Sequence, residues 1–144
     1  MSVAHFPRVM VADHYDDTRS LLKFWLEAKG CRVVEALNGQ EAVELIKKDC
    51  PDLVLMNLRM PVLDGLDATR RIRAQPEECN VPIAAISTYP TVKERDAALA
   101  AGCNWFISDP TDFDKLSDLL RTLQPGANAP PVAGDECGRV SYTY

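Results

Sequence analysis

Five polar residues stand where short apolar runs end, and their types could do chemistry. Asp13 and His14 follow Arg8–Ala12 (RVMVA), Asn57 ends Asp52–Asn57 (DLVLMN), Ser87 ends Pro82–Ser87 (PIAAIS), and Asp109 lies just after Asn104–Ile107 (NWFI). If those runs are neighbouring strands, Asp13, His14, Asn57 and Asp109 meet in one pocket. Imidazole and carboxylates suit Zn²⁺ or Mn²⁺, which makes Asp13 and His14 candidate ligands. The same groups also suit a hydrogen-bonded polar pocket, with His14 or the Asn57 amide donating to Asp13 and Asp109. An imidazole between two carboxylates would titrate above its ordinary value, because nearby negative charge favours the imidazolium.

The elements that must position these residues are legible as a rhythm. Apolar runs alternate with amphipathic stretches about five times along the chain. After the first run, a helix is predicted from about Asp17 to Lys29, with Leu21, Leu22 and Trp25 inward and Gly30 as its stop. Cys31–Ala36 reads as the second strand. Asn38 caps a helix carrying Ala42, Leu45 and Ile46, which Pro51 ends. The unbroken apolar run at Asp52–Asn57 suits a central parallel strand covered on both faces. A loop with Pro61 and Gly65 leads into a helix through Arg73. Thr91 and Glu94 form a capping box for the fourth helix, and Gly102 closes it. The fifth helix starts near Thr111 or Asp112, with Phe113, Leu116, Leu119, Leu120 and Leu123 inward.

Repeated βα units imply a parallel sheet with helices on both faces and right-handed crossovers. The expected architecture is an α/β, flavodoxin-like (βα)5 doubly wound sheet of strand order 2-1-3-4-5, with its site at the carboxyl ends of the strands. Residues 1–124 form this one domain, and residues 125–144, with Pro125, Pro130 and Pro131, read as a flexible tail ending in Tyr142-Thr143-Tyr144.

Bulk properties exclude some functions. A net charge of -5 argues against direct nucleic-acid binding, which wants a basic face. No apolar run approaches the ~18 residues that span a bilayer, and no signal sequence is evident. The expectation is a cytoplasmic protein. Cys31, Cys50, Cys79, Cys103 and Cys137 are odd in number and lack Cys-x-x-Cys spacing, so reduced, packing cysteines are expected. Arg70, Arg71 and Arg73 read as a solvated helical face, Asp16 and Asp17 as caps of the first helix, and Trp25 and Trp105 as core or rim aromatics. The acidic loop Asp13–Asp17 lacks the small residues that cradle phosphate, which excludes a flavodoxin-like cofactor binder.

From about Arg8 to Leu123 the chain resembles the receiver domains of two-component response regulators. The most specific segment is DLVLMNLRMPVLDG, Asp52–Gly65, similar to the strand and loop around that family's phosphorylation site. VMVADHYDDTRSLL resembles its acidic first strand end and first helix. Ser87 matches its Ser/Thr position, Phe106 its switching aromatic, and Asp109-Pro110 its Lys-Pro.

In that family an ionised aspartate attacks a phosphoryl group, acidic neighbours hold Mg²⁺, and the hydroxyl and lysine bind the phosphoryl oxygens. Position by position, this chain keeps Asp13 and Ser87. It has Asn57 for the nucleophile, His14 for the second acidic ligand and Asp109 for the lysine. At an effective dielectric of ~20, unit charges ~4 Å apart interact by about 4 kcal/mol, so Asp109 opposes phosphate. The resemblance then implies a pseudo-receiver with no catalytic residue, weak or absent Mg²⁺ binding and no other cofactor. Its partners would be proteins, met through the fourth helix, fifth strand and fifth helix, with a homodimer through that face. The alternative is a receiver still accepting phosphoryl on Asp13 or Asp109, or on an aspartate restored at position 57.

Overall fold

The apolar run ending in Asn57 has two faces to cover, and the sheet is built around it. A computed structural model describes residues 6–77 and 79–123. In chain order it has β1 (Arg8–Ala12), α1 (Asp16–Ala28), β2 (Arg32–Ala36), α2 (Gly39–Lys48), β3 (Leu53–Asn57), α3 (Gly65–Arg73), β4 (Ile83–Ile86), α4 (Val92–Ala101), β5 (Trp105–Ile107) and α5 (Phe113–Arg121). All strands are parallel in the order β2-β1-β3-β4-β5, the flavodoxin-like arrangement expected. Ala12 pairs with Met56, Asn57 with Ile86, and Ile86 with Ile107. Four strands therefore stop along one edge, and whatever follows them meets there.

The core explains the apolar runs. Val9–Ala12, Leu53–Met56 and Ile83–Ile86 are buried throughout, as parallel strands with helices on both faces must be. Trp105 and Phe106 are buried on β5, and Trp25 stacks on Phe113 with ring centroids 5.0 Å apart. Asn38, Asp64, Thr91 and Asp112 each accept the backbone N–H three residues on, capping α2, α3, α4 and α5. Such caps contribute about 1 kcal/mol each. Gly102 ends α4 at φ 115, a left-handed conformation open to glycine at little cost.

Four expectations need correction. Leu21 is 42% exposed; α1 buries Leu22 as expected, with Leu26 in place of Leu21, because Leu26 lies one turn beyond Leu22 on the sheet-facing stripe. The cap of α1 is Tyr15, not Asp16 or Asp17, which occupy the first turn where carboxylates favour the helix dipole. Arg73 is not a solvated cation. Its guanidinium donates to Gly102 O (3.0 Å) and Asn104 Oδ1 (2.9 Å), tying α3 to the start of β5.

The fourth correction is chemical. Cys50 and Cys79 form a disulfide, with Cα atoms 5.6 Å apart. Sequence spacing hid it because the two are 29 residues apart. They meet because β3 and β4 are adjacent and parallel, so the segments leading into both strands start at the same sheet edge. Cys31 and Cys103 are buried free thiols. Cys137 and the proposed tail at residues 125–144 lie outside the described residues.

Gly65 fixes where the site loop sits. Its N–H donates to Leu58 O at 3.1 Å, and a Cβ there would lie 2.4 Å from Asn57 O and 2.9 Å from the Leu58 Cα. Both neighbours are backbone at the end of a buried strand and cannot yield. Gly65→Ala is expected to cost about 2–3 kcal/mol through overpacking. A lowered urea midpoint at unchanged slope would show this, and an unchanged midpoint would contradict it.

Candidate functional site

Each site residue is held by its own local structure. Asp13, 2% exposed, has its N–H on Ala36 O at 3.0 Å, and its Oδ1 accepts the Tyr15 N–H at 2.9 Å. That closes a short turn between β1 and α1. Arg19 secures the turn from α1: one guanidinium nitrogen donates to Asp13 O at 3.0 Å and another to Glu35 Oε1 at 3.0 Å. Its hydrogen bond to Asp16, with Glu35 adding to it, raises the Arg19 pKa above the ordinary value. Arg19 is therefore a fixed cation joining α1, β1 and β2.

His14 is exposed, and its ring lies edge-on to Tyr15, with centroids 5.4 Å apart. It does not bridge Asp13 and Asp109, so the imidazole between two carboxylates is not formed. Asn57 Oδ1 accepts the Arg59 N–H at 2.8 Å. Asp109 Oδ1 accepts both the Thr111 hydroxyl (2.6 Å) and the Thr111 N–H (2.8 Å). Those two bonds, the hydroxyl first, hold the Asp109 carboxyl below its usual range. The expected network between Asp13, His14, Asn57 and Asp109 is thus replaced by separate turns, because short polar side chains satisfy the nearest free N–H first.

Ser87 is linked to the first turn of α4. It is 2% exposed, and its hydroxyl donates to Glu94 Oε1 at 2.7 Å. The same oxygen accepts from Arg59 Nη2 at 3.2 Å, while Arg59 Nη1 donates to Thr88 O at 3.1 Å. One carboxylate therefore joins the ends of β3 and β4 to the first turn of α4. The expected capping box is half made: Thr91 accepts the Glu94 N–H, but the Glu94 side chain goes to Ser87 and Arg59. A buried hydroxyl and a guanidinium compete better for that carboxylate than a solvated backbone N–H. Neither Arg59 nor Glu94 had been singled out from the sequence as a site residue. The available signal was their opposite charge, Arg59 just after the third strand and Glu94 in the first turn of the fourth helix.

Two exposed loop residues, one after β3 and one after β4, have positive φ. Val62 is 80% exposed at φ 71, and Tyr89 is 93% exposed at φ 52. Non-glycine residues with positive φ are uncommon, and a β-branched one is an outlier. The Leu63 N–H donates to Pro61 O at 2.7 Å, closing a tight turn on Val62. An open cleft of about 480 Å³ runs beside Asp109, lined by Thr88, Tyr89, Pro90, Ser108 and Asp109. Phe106 is fully buried behind it.

The donor set does not fit Mg²⁺. That ion wants oxygen ligands in near-octahedral array. Here one carboxylate, one neutral carboxamide and an outward imidazole are offered, and the carboxylate and carboxamide each have an oxygen engaged by a backbone N–H. Among the described residues, no three of His, Cys, Asp and Glu converge as metal ligands.

A five-stranded parallel sheet with a carboxylate, a carboxamide and a hydroxyl at its carboxyl edge defines the class of protein. Residues 9–121 match the response regulator receiver domain, and the chain belongs to that family. It is 36% identical over 81% of its length to an uncharacterized 14.6 kDa protein of Leptolyngbya boryana, covering 86% of that protein. It is 34% identical over the same share to the response regulator MprA of Mycolicibacterium vanbaalenii, of whose length it spans only 49%. Among solved structures it resembles the receiver domain of the sensor histidine kinase PA1611 of Pseudomonas aeruginosa, whose active-site cleft coordinates magnesium. There the TM-score is 0.75 at 29% identity, covering 83% of this chain and 98% of that one. It equally resembles the receiver of Saccharomyces cerevisiae Ssk1, solved with the phosphotransfer protein Ypd1. That likeness has TM-score 0.75 at 26% identity, with 83% and 91% covered. The chain is a receiver domain of two-component phosphorelay signalling, a signalling module whose relatives work through protein partners. No helix among the described residues is long and apolar enough to cross a membrane.

Removing the Glu94 carboxylate strands a buried hydroxyl. Glu94→Ala is expected to cost about 1–2 kcal/mol. Ser87→Ala costs less, since Glu94 keeps Arg59, and the double-mutant cycle gives a coupling of about 1 kcal/mol. Additive single effects in urea denaturation would contradict the link.

Proposed function

We propose that this chain is a pseudo-receiver: an interaction module that holds one signalling surface without being phosphorylated. The observation that carries this reading is Ser87 on Glu94. In the family, that hydroxyl turns to an incoming phosphoryl group; here an internal carboxylate occupies it at 2.7 Å. Asn57 supports the reading, because a neutral carboxamide is no nucleophile and forms no acyl phosphate. Asp109 supports it further, since an ionised carboxylate stands where a cation would bind the phosphoryl oxygens. His14 and Asn57 together leave Mg²⁺ poorly served, so the module works without a cofactor and is not an enzyme.

The surface on offer is α4, β5 and α5, which Glu94 and the buried Phe106 hold in one arrangement. Its partner is a protein, or a second copy of this chain meeting the same face in a homodimer. The Ssk1 receiver, held by a phosphotransfer protein, is a precedent for protein recognition in a similar fold. The net charge of -5 weighs against direct binding to nucleic acid. A cytoplasmic location fits a receiver that answers kinases.

The competing reading keeps phosphoryl acceptance on Asp13 or Asp109. Asp109 is poorly placed for it, because Thr111 takes one oxygen twice. Incubation with acetyl phosphate and Mg²⁺, followed by intact mass, separates the two. The expected outcome is no adduct. A stoichiometric, base-labile phosphoryl group would overturn the pseudo-receiver.

Restoration is the sharper test. Asn57→Asp alone is expected to label at a small fraction of an ordinary receiver, because Asp109 remains. Adding Asp109→Lys should raise labelling by ten-fold or more, taking about 1.4 kcal/mol as the scale of one decade. Full labelling by Asn57→Asp alone would show that Asp109 does not repel the phosphoryl group.

A further inference from the structure

The Cys50–Cys79 disulfide closes a loop that contains all of β3, the Asn57 loop and α3. We propose that this pair is a redox-modification site, opened and closed by exchange with a low-molecular-weight thiol of the glutathione class, and that closure holds α3 and the Asn57 loop in place. The inference does not depend on whether the domain is phosphorylated.

Access is one-sided. Cys50 is exposed, whereas Cys79 is buried at 6% exposure. An external thiolate therefore attacks the Cys50 sulfur. The S–S bond breaks, Cys79 leaves as thiolate and takes a proton from water, and Cys50 carries the mixed disulfide. A second thiolate attacks the external sulfur of that mixed disulfide and frees Cys50. The sum is one protein disulfide and two thiols giving two protein thiols and one small disulfide. Exposed disulfides are the labile and regulatory kind, and in reducing compartments disulfides are mostly transient.

The chemistry is confined to this pair among the described cysteines. Cys103 is 1% exposed, and burial pushes its thiol up to about 11. Cys31 is 8% exposed and also raised by burial. Both shifts disfavour the thiolate, which is the reactive form.

The geometry allows opening without unfolding. Cys79 lies in the connection between Arg73 and Ile83, outside the ladder and the helices. Cys50 is anchored independently, since the Arg8 guanidinium donates to Cys50 O at 3.2 Å and to Asp49. Opening therefore releases the Cys79 side, the connection that follows α3. There, α2 and α3 leave a gap of about 10 Å³, lined by Val43, Ile46, Ile72 and Cys79 among others. A loop of 29 residues freed from its cross-link gains chain entropy when unfolded, which lowers Tm by roughly 10 °C.

The test equilibrates the full chain with reduced and oxidised glutathione at a series of ratios. Free thiols are trapped with an alkylating agent and counted by intact mass, and amide hydrogen exchange is followed in parallel. The expected result is a reversible transition of two thiols in the folded protein, with Cys31 and Cys103 protected. Exchange should quicken about ten-fold in α3 and stay unchanged in β1 and β5. Cys50→Ser should lock the fast-exchanging state at every ratio. A bond that opens only when the protein unfolds would reduce the pair to a structural staple and overturn the proposal. So would cysteines that never pair, or opening that leaves α3 exchange unchanged.

Discussion

Glu94 carries the negative charge around which the carboxyl edge of the sheet is arranged. Its carboxylate takes the hydroxyl of buried Ser87 and the guanidinium of Arg59. Arg59 in turn reaches Thr88 O, and its own N–H ends on Asn57. Through one anion, β3, β4 and α4 are set in a single arrangement. A surface ion pair alone would contribute little. Here Arg59 is more than half exposed while Ser87 is buried, so the strength lies in the hydroxyl that has no water to turn to.

That anion matters because the strands themselves are spent on packing. β3 is flanked by β1 and β4 and covered by helices on both faces, so its side chains up to Met56 are spent on packing. On β3, Asn57 at the strand end is the first side chain that is not fully buried. Gly65 presses α3 onto the end of β3, which leaves the Asn57 loop little room. The disulfide closes the same βα unit from the opposite edge. The unit is thus held at both ends, by close backbone contact above and by a covalent bond below.

Much of this was legible in the sequence. The apolar runs, the caps at Asn38 and Thr91, and the stop at Gly102 rest on local rules, and all three hold in the structure. The strand order followed from the βα rhythm. What was not legible involves partners distant in sequence. Cys50 and Cys79 meet only because β3 and β4 are neighbours. Arg73 looked solvated until the turn before β5 came under it. Glu94 was readable as a cap residue, yet the fold hands its side chain to Ser87 and Arg59. At Asp13, Asn57 and Asp109 the strand ends bring the residues to one edge, but each side chain closes a local turn where hydrogen bonds between them were expected.

If the chain is the pseudo-receiver proposed above, Glu94 holds Ser87 whether or not a phosphoryl donor is present. The most direct measurement is an amide NMR spectrum recorded with and without beryllofluoride and Mg²⁺, which together mimic the phosphoryl group on a receiver aspartate. The account predicts that resonances from Asn57 to Met60, Ser87 to Glu94 and Trp105 to Asp109 stay in place. Saturable shifts along those three segments would show an anion site still able to drive the switch, and would contradict it.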